Sequence, residues 1–203
     1  MPDTGAPWNI PYVASTDLVS DWPADSLALA NAIDSGLDAA GGLVAVKHAL
    51  FTGTQTNSTA AGANFAVTDL SITHTLADSS NKLIISAYLG VAASGLQLGA
   101  VGLAVADDGT LIGIGDAAGF RLRTGAGGWT LSPTGTYSDV VVTMPSVTFV
   151  YEPGDTASHT YTVRAINLDD STHTLYINRT ELDNDSDNRP RGSSGFVIQE
   201  VKV

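Results

Sequence analysis

From Leu43 onward, apolar and polar positions alternate with a period of two, the spacing of strands half-buried in a sheet. LVAVKHALF reads as a strand. ANFAVTDLSITHTLA alternates first through Phe65, Val67 and Asp69, then through Leu70, Ile72, His74 and Leu76. That change of phase predicts a bulge or two short strands. Asp78-Ser79-Ser80-Asn81 is a turn, and KLIISAYLGVAA returns as a strand. VGLAVADDGTLIGIG predicts a hairpin closed by Asp107-Asp108-Gly109. VVVTMPSVTFVYEPGDT reads as two strands hinged at Pro145. SHTYTVRAINLDDSTHTLYINRTEL reads as a second hairpin, turning at Asp169-Asp170, and GFVIQEVKV as the closing strand. The glycine-rich stretch 115–139 predicts a short strand over 120–123 and then a long exposed loop. About ten short strands at regular spacing predict a mainly β fold, a jelly-roll-like antiparallel β-sandwich.

Upstream the period lengthens. PADSLALANAIDSGLDAA, residues 23–40, predicts one short helix. Asp21 can cap it, Pro23 fits its first turn, and Gly41-Gly42 stop it. Ala30, Ile33, Leu37 and Ala40 follow a three-four-three spacing, the seam of a coiled coil. So thin a stripe cannot bury itself, so the helix docks on its own domain or pairs with copies of itself. Residues 1–22 form an extended arm punctuated by Pro7 and Pro11, with Trp8, Ile10, Tyr12, Leu18 and Trp22 among small polar residues. The arm either folds back on the β domain or docks on another protein. The organisation expected is an arm (1–22), a helical stem (23–42) and a β-sandwich head (43–203).

Composition narrows the function. Charged residues are 15% of the 203, and Gly, Ala, Ser, Thr and Val fill the gap. A surface so poor in charge suits burial in an assembly. The net charge is −12 with nine scattered Lys and Arg, which argues against nucleic acid and against anionic membranes. With no Cys there is no disulfide framework and no thiolate chemistry. No apolar run approaches the ~20 residues of a membrane helix, and no signal peptide is apparent, so a protein made in the cytoplasm without membrane insertion is expected.

Candidate chemistry is sparse. His48, His74, His159 and His173 have no partner at metal-ligand spacing, so no metal and no cofactor is expected, and His74 reads as a hydrogen-bonded core residue. The acids at Asp183, Asp185 and Asp187 open like a calcium loop, but Asn188 and Ser194 stand where an EF-hand needs Gly and Glu, which leaves a looser calcium site or a solvated loop as the alternatives. No nucleophile elbow, P-loop or dinucleotide fingerprint is present, so an enzyme is not expected. Asn57-Ser58-Thr59 and Asn178-Arg179-Thr180 match the glycosylation pattern and are discounted without a signal peptide. Trp129 and Tyr137, with Arg121 and Arg123 near them in the chain, are candidate ligand-binding residues that could stack on sugar rings; alternatively they cover a sheet edge or a subunit contact.

The arm and helix, APWNIPYVASTDLVSDWPADSLALANAIDSGLDAAGG, resemble the N-terminal segments of tailed-bacteriophage fibre and other virion proteins. The tract MPSVTFVYEPGDTASHTYTVRAIN and the closing RGSSGFVIQEVKV are similar to β-rich heads of phage fibres. Those heads often finish in a strand of small, Ser, apolar, x, apolar, x, Glu, matched here by Ser194, Phe196, Ile198 and Glu200. The resemblance implies a homotrimer attached to another virion protein by Trp8, Ile10, Tyr12, Leu18 and Trp22. Ala30, Ile33, Leu37 and Ala40 would form the trimer stem, and the head would meet a host-surface glycan. Capsid decoration, or a head fibre bracing the shell, is the alternative it implies; a polysaccharide-degrading spike is a third.

Overall fold

In the computed structural model, residues 26–33, 42–94, 99–130, 141–184 and 189–203 are described. The chain divides into two units, Met1–Leu43 with Lys202–Val203, and Val44–Val201. Within the first, residues 26–33 form a helix on which Ala30 and Ile33 are exposed. Leu37, Ala40 and the five arm residues lie outside the described residues.

The second unit is built from strands β1 (Leu43–Phe51), β2 (Gln55–Thr59), β3 (Asn64–Thr75), β4 (Lys82–Tyr88), β5 (Val91–Ala93), β6 (Gly99–Asp107), β7 (Thr110–Ile112), β8 (Ala126–Thr130), β9 (Ser146–Tyr151), β10 (Ser158–Asn167), β11 (His173–Ile177) and β12 (Ser194–Val201). They pair into one sheet ordered β1-β12-β4-β9 and another ordered β3-β10-β6-β7, with β8 also on β6. Setting aside β2, β5 and β11, and taking β7 and β8 as one broken strand, the sheets read 1-8-3-6 and 2-7-4-5. That is the jelly-roll order, in which successive strands cross between two facing sheets except at the central pair, here β6 and β7. The expected fold class is what the chain adopts.

Alternation explains the sandwich. Leu83, Ile85 and Ala87 of β4 and Phe196 and Ile198 of β12 face Leu70 and Ile72 of β3, Tyr161 and Val163 of β10, and Leu103 and Val105 of β6 in one core. The phase change in β3 is a bulge inside one continuous strand. Asp69 takes φ 60°, and the β10 register slips between Thr162 and Arg164. Slipping there keeps Leu70 and Ile72 pointing inward, since a one-residue error would turn the whole strand over.

The two ends of the sandwich are closed differently. β2, β5 and β11 form a third sheet ordered β2-β11-β5. They come from the β1–β3, β4–β6 and β10–β12 connections, which all lie at one end. The chain passes into β1 and out of β12 at the opposite end, where Lys202 N–H donates to Gly42 O (2.9 Å).

Three sequence expectations need correction. β10 and β11 are not a hairpin, because they belong to different sheets. Asn167, 1% exposed, makes the break: its Nδ2 donates to Thr59 O (2.9 Å) and Ser171 O (2.8 Å), and its Oδ1 accepts from Asp169 N–H (3.0 Å). This side chain turns the backbone out of one sheet and into the next. Residues 120–123 are not a strand; the strand of that region is β8, whose main chain pairs along β6 from Leu103↔Ala126 to Gly99↔Thr130. Among the described residues before Pro145, only an isolated bridge, Val91↔Thr143, replaces the first of the two strands expected there.

Candidate functional site

The first site lies on the outer face of the β3-β10-β6 sheet, toward the end carrying the third sheet. β7 pairs with the far half of β6 and β8 with the near half, so residues 113–125 must loop over the face between them. Gly115 N–H donates to Thr124 O (3.3 Å) and Arg123 Nε donates back to Gly115 O (2.6 Å), which closes the neck of this loop. Phe120 stands fully exposed at its tip.

Between the loop and the turns at 61–62 and 168–170 lies a cleft of about 710 Å3. Phe120, Leu122 and Leu168 give it apolar walls; Arg121, Asp169 and Asp170 give it charge; Gly127 and Gly128 of β8 leave main chain in its floor. A Cβ at Gly127 would stand 3.3 Å from Leu168 Cδ1, so the missing side chain there leaves that part of the floor bare. A second cleft of about 480 Å3 opens on the other side of Arg121 and Leu122 and includes Arg123. Apolar faces with a few convergent polar groups are what a sugar or other small polar ligand requires.

The candidate ligand residues from the sequence are thus brought partly together. Arg121 and Arg123 line adjoining clefts. Trp129 sits on β8 opposite Ala100, next to Gly128. Tyr137 lies outside the described residues. Phe120 and the pair Asp169 and Asp170 were missed. Phe120 was visible as the first of three aromatics in the glycine-rich run 115–139, but the aspartates come from a turn far away in the chain.

At the opposite end, two polar groups close the core. Glu200, 1% exposed, faces inward between the sheets. Its Oε1 accepts from Ala77 N–H (2.8 Å) and Asn81 Nδ2 (2.6 Å), and its Oε2 meets His74 Nε2 (2.9 Å). Burial pushes the Glu200 carboxyl up, but the bonds from Asn81, Ala77 and His74 together outweigh it and hold the group below the usual carboxylate range. His74 is therefore the buried, hydrogen-bonded residue that its strand position predicted. Its Nδ1 is buried without a partner.

The second group is centred on Asp107, 8% exposed. Tyr151 donates its hydroxyl to Asp107 Oδ2 (2.8 Å), and His159 Nδ1 lies 2.9 Å from Asp107 Oδ1. His159 Nε2 lies 3.0 Å from Asp155 Oδ1, and the imidazole stacks on Tyr161 at 6.0 Å between ring centroids. The hydrogen bond that Asp155 accepts from His159 is the largest cause holding the His159 pKa above its ordinary value; burial opposes it, and Asp107 reinforces it. Burial, then the Asp107 hydrogen bond, pushes the Tyr151 phenol up to about 12.

Two other sequence candidates acquire structural roles. Asp183 forms a bidentate pair with Arg191 (2.9 and 2.7 Å), which holds its carboxyl below the usual range. Asp185 and Asp187 lie outside the described residues. Asn178 is fully buried, so its glycosylation pattern is sterically closed in the folded chain. Its Nδ2 donates to Phe51 O (2.8 Å) and Gly53 O (3.0 Å), while its Oδ1 accepts from Ser194 Oγ (2.6 Å).

No family model and no curated protein matches this chain. Among solved structures, it is similar to a chain in the structure of infectious bursal disease virus Gx strain, at 11% identity and a TM-score of 0.35. The likeness covers 79% of this chain and 41% of that one, so this chain spans less than half the length of its neighbour. At so low a TM-score, functional argument rests on the chain's own geometry.

Proposed function

We propose that this chain is a structural protein of a tailed-bacteriophage virion. It forms a homotrimeric fibre or spike, held to another virion protein by its N-terminal arm, and its jelly-roll head meets a host-surface glycan. The observation that carries this reading is the polarity of the head. The chain passes into β1 and out of β12 at one end, and the cleft of Arg121, Phe120, Asp169 and Asp170 opens toward the other. A head attached at one end and open to ligand at the other is arranged for display.

The trimer draws support from the contrast between the outer sheet faces. Hydroxyl pairs coat the β3–β10 face, Ser71 with Thr162 (3.1 Å) and Thr73 with Thr160 (3.2 Å). The β1-β12-β4-β9 face presents Val44, Val46, Leu50 and Val150, each more than 40% exposed, beside Ile84. Its one Lys, Lys82, is paired with Glu152 (2.7 Å). This face also carries the Ser86–Thr148 hydroxyl pair (3.0 Å), but its four exposed aliphatic side chains mark an interaction site, and two further copies of the chain are the occupants proposed for it. Light scattering on the full chain should give three times the monomer mass, falling toward one with Val46→Glu. Host-cell binding by the trimer should weaken with Arg121→Ala. A monomeric wild type would overturn the trimer, and a trimer that binds no host cells would shift the role to capsid decoration.

A further inference from the structure

We propose that Asp107, Asp108 and His159 form a site for a divalent transition-metal cation of the zinc class at the end of the sandwich where the chain enters. This proposal is independent of the role proposed above. The two-residue turn between β6 and β7 creates half of the site. Asp108 takes φ 45° and Gly109 φ 90°, which brings two successive carboxylates up against β10. His159, near the start of β10, supplies the other half.

The convergence of the donor atoms is what points to a cation. Each ligand has one atom already engaged by a group outside the triad. Asp107 Oδ2 accepts from the Tyr151 hydroxyl (2.8 Å), Asp108 Oδ1 accepts from Thr160 N–H (3.0 Å), and His159 Nε2 faces Asp155 Oδ1 (3.0 Å). One donor atom from each of Asp107, Asp108 and His159 lies within 4.8 Å of the other two. His159 Nδ1 is 2.9 Å from Asp107 Oδ1 and 3.6 Å from Asp108 Oδ2. Two donors each ~2.1 Å from a tetrahedral zinc stand ~3.4 Å apart, a value these separations bracket. The surrounding groups also match what orients metal ligands, with a carboxylate behind the histidine and a hydroxyl behind the ligating aspartate.

The donor set selects the ion. One imidazole and two monodentate carboxylates suit zinc or a neighbouring first-row ion, with water completing the coordination. Calcium takes roughly six to eight oxygens, and two free carboxylate oxygens fall well short. A proton on His159 Nδ1 occupies the same place as the cation, so the two compete. The titratable groups facing that ring are Asp107 and Asp108 from the β6–β7 turn, Asp155 from the β9–β10 connection, Tyr151 from β9 and Tyr161 from β10. Affinity should therefore fall as pH drops.

The test uses the full chain, stripped with chelator and titrated with zinc chloride by calorimetry, and with cobalt(II) by visible absorption. Wild type should bind one equivalent per chain, with cobalt giving d–d bands. Asp108→Asn and His159→Gln should each abolish that equivalent. Asp155→Asn, which changes the group behind the imidazole and keeps an oxygen to accept from Ala157 N–H (2.7 Å), should weaken it ~10–100-fold. Thermal melts in chelator report folding, and the Asp155 variant carries the test if either ligand variant fails to fold. No stoichiometric zinc on wild type, or the same affinity in Asp155→Asn, would overturn the site.

Discussion

Glu200→Gln is a sharp probe of how the core is closed, because it preserves shape and removes only charge. In the wild type, a histidine carrying its proton on Nε2 donates to Glu200 Oε2, leaving only a lone pair on the buried Nδ1 without a partner. The substituted amide could still accept from Ala77 and Asn81 through its oxygen. Its NH2 group would then face His74. Either two donors oppose each other, or His74 moves its proton to Nδ1, where no acceptor exists. An unsatisfied buried group costs about 1–3 kcal/mol, and two bonds losing their charge assistance add about 1 kcal/mol or more. A destabilisation of roughly 2–4 kcal/mol at neutral pH is therefore expected. At about 2–4 °C per kcal/mol for a domain of this size, the melting temperature should fall by some ~4–16 °C. Because the Glu200 pKa is lowered on folding, its contribution is present above the unfolded carboxylate pKa and is lost as pH falls through the folded value. Urea titrations at fixed protomer concentration, at neutral and at acid pH, should show the gap between wild type and variant narrowing in acid. A variant within ~0.5 kcal/mol of wild type at neutral pH would refute this account of the His74–Glu200 pair, as would a gap that does not change with pH.

Asn178→Ala should cost about 3 kcal/mol or more in the same assay, since it strips a buried hydrogen bond from the Phe51 carbonyl and a half-buried one from the Gly53 carbonyl, takes the acceptor from Ser194 Oγ, and leaves an alanine at φ 59°. His159 has a raised pKa, so its contribution is complete below the unfolded histidine value and lost as pH rises through the folded one. In chelator, His159→Gln should flatten the stability-versus-pH curve across that window, and an unchanged slope would remove His159 from it. Phe120→Ala should leave the melting temperature within error because the ring is fully exposed, while weakening adsorption to host cells; normal adsorption would exclude that side chain from the ligand site.

Much of the sandwich was legible because its strands are amphipathic. β1, β6 with β7, and β12 follow their alternation, and the slip at Asp69 showed as a change of phase. The ending Ser194, Phe196, Ile198, Glu200 is a run of inward positions, in which Glu200 replaces an apolar residue where the core meets a polar end. β8 escaped because Ala-Gly-Gly-Trp-Thr has no alternation; its place comes from the open flank of β6. The false hairpin at Asp169-Asp170 came from assuming that neighbours in sequence pair. The decisive signal was one buried amide, Asn167, whose partners are tertiary. The Asp107 site was hidden for the same reason, since its histidine lies 52 residues further along the chain.

The third sheet also bears on how such a head diversifies. It stitches three connections together by main-chain bonds, β11 to β2 and β11 to β5, so an inserted residue in any one of them disturbs the ladder of the others. The fourth connection at that end, from β7 to β9, touches this ladder only at the Val91↔Thr143 bridge among the described residues. Length polymorphism among descendants of this chain should therefore gather between β7 and β9, which is also the segment that carries Phe120, Arg121 and the cleft floor. In the display role proposed above, ligand specificity would then drift in one segment while the other three stay locked in step.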